Sequence, residues 1–406
     1  MSNDDLWANL HSDLLNQIVK YVHSYEDYAR LRLVCKSWSL TLARTPEHKY
    51  PWLVSLLSAE DSIETHGPIE EEINQMRLPQ MQDHLFRGSC CGFLVILGLS
   101  DGALHLLNPF TKVIYDLPPI STLPHIVDYL PENIGNEYMM RDMVNGSTGT
   151  VERILVNKTS VYKIIISSPP DRDTHDFMAV VIYGDYRRLG FHRTGDGGWT
   201  DIPTAKAHRC EFEDVIFNEG KIHAVDWKAQ LYEFDMHTKP IPLGGATKAK
   251  PPIGIPQSRG PTDWNFKYLA GHGKGRLLMV VRHFVYPRDG DDDADVYRTN
   301  TFSVYMLTNN EVWSRVYNLE NYALVLGLNS SISMPCASSC TKPNHIYYTD
   351  NLLEHYYVSE EGHKRRRRLQ LKWCWWSLGV FDLEGGGNNQ LFSAAQFLLP
   401  PPVWLC

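Results

Sequence analysis

From Leu85 to Leu383 one short pattern keeps returning: an apolar strand, a glycine-centred turn and a returning strand that ends near an aspartate. Often a Trp-x-x-apolar strand follows. Gly92-Phe93-Leu94-Val95-Ile96-Leu97 runs into Ser100-Asp101-Gly102, and Ala103-Leu104-His105-Leu106-Leu107 comes back, which predicts a hairpin. Residues 113–118 add a third strand. The cadence reappears at 177–183 with 188–192 and 199–203, at 215–225 with 230–235, and at 276–281 with 302–307 and 313–316. A last pass runs from Leu324 through 345–350 to 379–383. Degenerate repeats of ~40–50 residues, each with about four strands, predict the blades of a β-propeller. A blade hides its two faces only against neighbouring blades, so the unit must repeat. A pair of β-sandwiches is the alternative, and it gives no reason for a recurring Trp-x-x-Ile/Val element after a glycine turn.

The N-terminus has a different texture. Leu10, Leu14 and Ile18 fall four apart with Leu15 beside them, which predicts a helix with one apolar stripe. Ser12 or Asp13 is placed to cap it. A second segment around 26–29 leads into Leu31, Val34, Cys35 and Trp38, again at helical spacing. Three short helices in roughly fifty residues cannot bury all their apolar surface among themselves, so the unit calls for a partner. Residues 1–50 hold six Lys/Arg and six Asp/Glu, so such a partner is met through apolar contact. The remaining alternative is a helical cap that binds nothing.

The order Trp7…Leu10-x-x-Asp13-Leu14-Leu15-x-x-Ile18…Arg32-x-Val34-Cys35-Lys36-Ser37-Trp38 resembles an F-box. The resemblance implies docking on the small adaptor subunit of an SCF-type cullin–RING ubiquitin ligase, and through it on a cullin. Leu10, Leu14, Leu15, Ile18, Val34, Cys35 and Trp38 are the residues it implies for that contact. His11 stands where the family usually carries Pro, which bears on adaptor affinity. The later part is similar to the C-terminal domain of a large plant F-box family, expected to form a kelch-like propeller. That likeness rests on residues 87–92, 107–111, 217–225, 346–350 and 379–383 and on Pro400-Pro401-Pro402-Val403-Trp404. The expected architecture is therefore multidomain: an all-α F-box over 1–45, a linker over 46–75 with an exposed acidic loop at 58–75, and an all-β propeller over 76–406. Its implied role is a non-catalytic receptor that presents a protein target for ubiquitination. A non-degradative scaffold and a small-molecule-processing propeller enzyme are the alternatives.

Composition narrows the rest. A net charge of −8 over 406 residues disfavours a general nucleic-acid binder. No stretch approaches the ~18 apolar residues of a membrane span, and the acidic start Met1-Ser2-Asn3-Asp4-Asp5 does not read as a secretory signal. Eight scattered cysteines suit a reducing compartment, cytosolic or nuclear. The run Lys364-Arg365-Arg366-Arg367-Arg368 is a nuclear-import candidate, or else a solvated loop; nucleus and cytoplasm are the expected locations. Asp289–Asp295 lacks the spacing and terminal Glu of an EF-hand. Cys336, Cys340 and His345 lack a fourth zinc ligand at regular spacing, so no metal is expected. Gly385-Gly386-Gly387 reads as a hairpin turn rather than a phosphate cradle, and no Gly-x-Ser-x-Gly elbow occurs, so neither a cofactor nor a catalytic residue is expected. Trp227, Trp264, Trp373, Trp375 and Trp376 are either target anchors or packing between blades.

Overall fold

The computed structural model describes residues 7, 9–19, 22, 25–42, 51–56, 62–66, 73–78, 81, 83–170, 176–203, 211–235, 246–255, 265–273, 275–285, 298–308, 311–336, 341–351, 378–390 and 402–405. Among the described residues, Trp7 is helical and three helices follow: α1 (Ser12–Val19), α2 (Tyr25–Val34) and α3 (Lys36–Thr41). Cys35, extended at φ −159° and ψ 167°, breaks the path between α2 and α3. Leu15, Tyr28, Trp38 and Leu42 form a small core of their own.

Strands follow, and among the described residues they fall into six blades. The first takes β1 (Trp52–Leu56), β2 (Ser62–His66) and β3 (Ile73–Arg77). The second is β4 (His84–Cys90), β5 (Phe93–Gly98), β6 (Leu104–Leu107) and β7 (Ile114–Leu117). A separate three-stranded meander intervenes: β8 (Ile126–Tyr129), β9 (Tyr138–Arg141) and β10 (Thr148–Val151), followed by helix α4 (Arg153–Thr159). The third blade holds β11 (Val161–Ile166), β12 (Met178–Tyr183), β13 (Arg188–Arg193) and β14 (Thr200–Asp201). The fourth holds β15 (Phe212–Asn218), β16 (Lys221–Asp226), β17 (Leu231–Asp235) and β18 (Ala246–Ala249). The fifth holds β19 (Asn265–His272), β20 (Arg276–Val285), β21 (Arg298–Leu307) and β22 (Trp313–Val316). The sixth holds β23 (Tyr322–Leu326), β24 (Ile332–Pro335), β25 (His345–Tyr348), β26 (Gly379–Asp382) and β27 (Asn388–Gln390), joined to the fifth where Ile332 pairs with Gly271. The last strand, β28 (Val403–Leu405), returns to the first blade and pairs with β1.

Alternation along each strand turns these blades into a ring. In β12, Met178, Val180 and Ile182 pack toward the fourth blade, while Ala179, Val181 and Tyr183 pack toward the second. Both faces are buried, so the strand reads as a continuous apolar run rather than an alternating one. Six such clusters join successive blades, and the sixth carries Ala323, Val325 and Tyr347 of the last blade against Leu53 and Trp404 of the first. The fold is a β-propeller. Trp404 is fully buried with its ring edge-on to Tyr347, and the Ser89 hydroxyl donates to its carbonyl.

Local chemistry explains the turns. Gly102 sits at φ +70°, and a Cβ there would come within 2.9 Å of Ile120 and of the Tyr138 hydroxyl, so only glycine fits. Gly385–Gly387 closes the β26–β27 hairpin, with the Gly386 N–H donating to Asp382.

The expected linker over 46–75 is corrected: the apolar stretch 50–54, which reads as part of the second domain, leads into β1, and the acidic stretch after it contains β2, paired with β1 on one side and β3 on the other. The acidic texture of 58–75 hid this. In β2 the fully buried Ile63 supplies the anchor, reaching the cluster between the first two blades.

Candidate functional site

The seven residues expected at the adaptor contact separate by depth. Leu14 and Val34 are 56% and 58% exposed. Leu15 (1%) and Trp38 (6%) lie inside the helical core, which corrects the expectation that they supply surface; the Trp38 indole N–H donates to the Trp7 carbonyl at 2.9 Å. Leu10 and Cys35 are half-buried against the same core, as is Val19, and Ile18 is half-buried too. Trp7, Leu33 and Leu40 are also exposed. Leu40 is two residues past the inward Trp38, about 200° round the helix, and that spacing was the available signal. The unit therefore satisfies its own core and still presents Trp7, Leu14, Leu33, Val34 and Leu40 to solvent.

His11, not Ser12 or Asp13, occupies the capping position. Its carbonyl accepts from the N–H groups of Leu14 and Leu15, and its Nδ1 lies 3.4 Å from the Asp13 N–H. The imidazole thus takes a side-chain capping role at the start of α1.

At the centre of the ring the innermost strands are tied by charge. Lys163 on β11 meets Asp214 on β15 at 2.5 Å, both buried. Asp214 also accepts from the N–H groups of Val215 (2.9 Å) and Leu269 (2.8 Å) and lies 3.4 Å from the Ser331 hydroxyl. Burial pushes its carboxyl above the ordinary range, and the Lys163 ammonium pulls it back. Lys267 on β19 pairs with Glu213 at 3.3 Å and donates to the Trp227 carbonyl. Four blades are thereby linked through one buried carboxylate and its neighbours. Arg87, fully buried on β4, donates to the Lys158 carbonyl at 2.8 Å, the end of α4.

An F-box domain model matches residues 7–48, and the KIB1-4 beta-propeller model matches residues 60–381. The chain belongs to the KIB1-4 beta-propeller family. It is similar to the F-box protein SKIP23 of Arabidopsis thaliana, 23% identical over 425 residues, covering 98% of this chain and 95% of that one. It is also similar to the F-box protein KIB2 of Arabidopsis thaliana, 22% identical over 366 residues, covering 85% and 72%. The F-box resemblance read from Trp7 to Trp38, the plant F-box likeness read from the motifs between residues 87 and 404, and the propeller read from the strand cadence all hold.

Within this KIB1-4 propeller the other singled-out residues have modest settings. Trp227 is half-buried, with the Lys228 ammonium 4.9 Å from its ring. Cys336 is buried, and His345 Nδ1 is 2.6 Å from the Pro343 carbonyl. Among the described residues, no three His, Cys, Asp or Glu side chains converge as metal ligands. Cys340, Asp289–Asp295, Trp264, Trp373, Trp375, Trp376 and Lys364–Arg368 lie outside the described residues.

Proposed function

We propose that this chain is the substrate-recognition subunit of an SCF-type cullin–RING ubiquitin ligase. The N-terminal helices dock on the adaptor, and through it on a cullin, while the propeller binds a protein target and performs no chemistry itself. The observation that carries this is the division within the F-box: a core complete without a partner, with Trp7, Leu14, Leu33, Val34 and Leu40 left outside it. Five large apolar side chains left exposed on so small a unit support an interaction role for it. Changing Leu14 and Val34 to Asp places charge in a contact that must be desolvated, and co-purification with the adaptor is expected to disappear. Undiminished recovery would sink the docking role. Interactomes with and without proteasome inhibition separate a degradative receptor from a scaffold, since a true target accumulates under inhibition and a scaffold partner does not.

The same proposal includes residence in both nucleus and cytoplasm, driven by Lys364–Arg368. Five consecutive cations in a chain of net charge −8 support it. A fluorescent fusion with Arg365–Arg368 changed to Ala should lose nuclear enrichment at unchanged abundance; an unmoved distribution rules the signal out.

A further inference from the structure

The β8–β10 meander is an addition to the ring, and it builds a groove of about 240 Å³ against the β12–β13 turn of the third blade. That volume is below the roughly 300–1,000 Å³ of drug-sized ligand sites and suits one inserted side chain. Three observations define what fits.

The first is an uncovered edge. β10 is the outer strand of the meander and, among the described residues, pairs only with β9. The Asp142 N–H bonds to the Ser147 carbonyl, whereas the Arg141 N–H turns the other way to the His125 carbonyl. Arg141 and Thr148 are therefore a non-hydrogen-bonded pair, and by alternation so are Met139 and Thr150. Thr148 and Thr150 must then aim their own N–H and C=O groups away from β9, toward open space. Thr148, Gly149 and Thr150 are all exposed, and Thr148–Val151 holds no Lys or Pro to discourage an added strand.

The second is an unsatisfied imidazole. His125 lines the groove at 4% exposure, beside the Tyr183 ring at 5.2 Å, and among the described residues neither ring nitrogen has a hydrogen-bond partner. A buried polar group left unpaired is costly, so an incoming group that pairs with it recovers free energy.

The third is charge balance. The groove is lined by Arg141 and Arg188 against Asp142 and Asp185. Arg188 is held in a two-pronged pair with Asp201 (3.1 and 2.6 Å), and Asp142 accepts from the Val144 and Asn145 N–H groups of its own turn. No excess of either sign calls for an ionic ligand.

We propose that an extended peptide segment adds a strand to β10 through Thr148 and Thr150 and seats one uncharged polar side chain (Ser, Thr, Asn or Gln) against His125. Main-chain bonds supply the affinity and the groove supplies the selectivity, as in other strand-addition modes. The proposal deepens the receptor role of the propeller and rests on it for the origin of the peptide.

The test uses the full chain and a display library of random linear peptides, with selected binders synthesised and their affinities measured. Three variants report. Gly149→Leu fills the groove, and a Cβ at Gly149 meets nothing within 4 Å, so the fold has room for it. Thr150→Pro deletes an outward N–H, and proline is tolerated on such edges. His125→Phe removes the polar partner. Selected peptides should share an uncharged polar residue at one position and weaken about tenfold or more on each variant, the worth of one well-made bond. Peptides that bind Thr150→Pro or Gly149→Leu as well as the natural chain would overturn the site. A charged or apolar consensus, or no enrichment at all, would also overturn it. Adaptor co-purification of the same variants stays unchanged if they are folded, so failure of the peptide site and failure of the ligase role are read separately.

Discussion

Replacing Lys163 with Met keeps most of the side-chain volume and removes the cation that faces Asp214 across two blades. The carboxylate then stays at 1% side-chain exposure without a counter-charge. Breaking a buried pair from one side costs about 3–5 kcal/mol. Asp214 keeps the Val215 and Leu269 N–H groups and the Ser331 hydroxyl, which places the loss near the lower end, about 3 kcal/mol. The sign of the pH dependence follows. An acid whose folded pKa is raised holds its proton in a window where the unfolded chain has released it, so its stabilising share declines as pH rises through that window. Burial already raises the Asp214 pKa above 3.8, and removing Lys163 raises it further. The gap between Lys163→Met and the natural chain should therefore be widest at neutral pH and narrow as the solution is acidified. Urea unfolding across a pH series measures this, with an unchanged slope showing that the same surface unfolds. Adding Asp214→Asn should recover much of the loss. A gap below about 1 kcal/mol at neutral pH, or one that does not move with pH, would refute the claim that this pair is desolvated and ties the ring.

The F-box residues predict a contrast: Leu14→Asp should change stability by less than about 0.5 kcal/mol yet abolish adaptor recovery, whereas Leu15→Ala should cost about 2–5 kcal/mol; thermal melts beside pull-downs separate the two. His125→Phe should stabilise the free chain by about 1 kcal/mol, because two unpaired nitrogens leave the interior. Burial lowers the His125 pKa from 6.5 to about 4, so the natural chain should lose stability as pH falls across that window and the Phe variant should lose less. Trp404→Ala should cost about 3–5 kcal/mol and expose the seam between the sixth and first blades to limited proteolysis.

Hairpins were legible because their signal is local. Residues 313–316 were expected as a strand and match β22, and the turn at Gly102 is where the glycine placed it. Elements whose stability comes from distant partners were not legible. β11 carries Lys163 in mid-strand, and only Asp214, 51 residues on, makes that charge tolerable. β28 has no pairing partner until residue 52 is brought beside it. In the F-box the neighbouring Leu14 and Leu15 are equal as letters, yet they point about 100° apart, and only packing against Tyr28 and Trp38 decides which one faces out. His125 left no mark in the sequence, since an imidazole without partners is a fact about its surroundings.

The pairing of β28 with β1 also sets an order of manufacture. On the ribosome the N-terminal helices emerge first and, with a core of their own, are able to form early. The first blade must wait, its innermost place empty, until residues 403–405 have been translated. Through that interval the nascent chain carries a formed F-box on an unclosed propeller. Chaperone engagement between those two moments would keep an unclosed propeller from being used before it is finished.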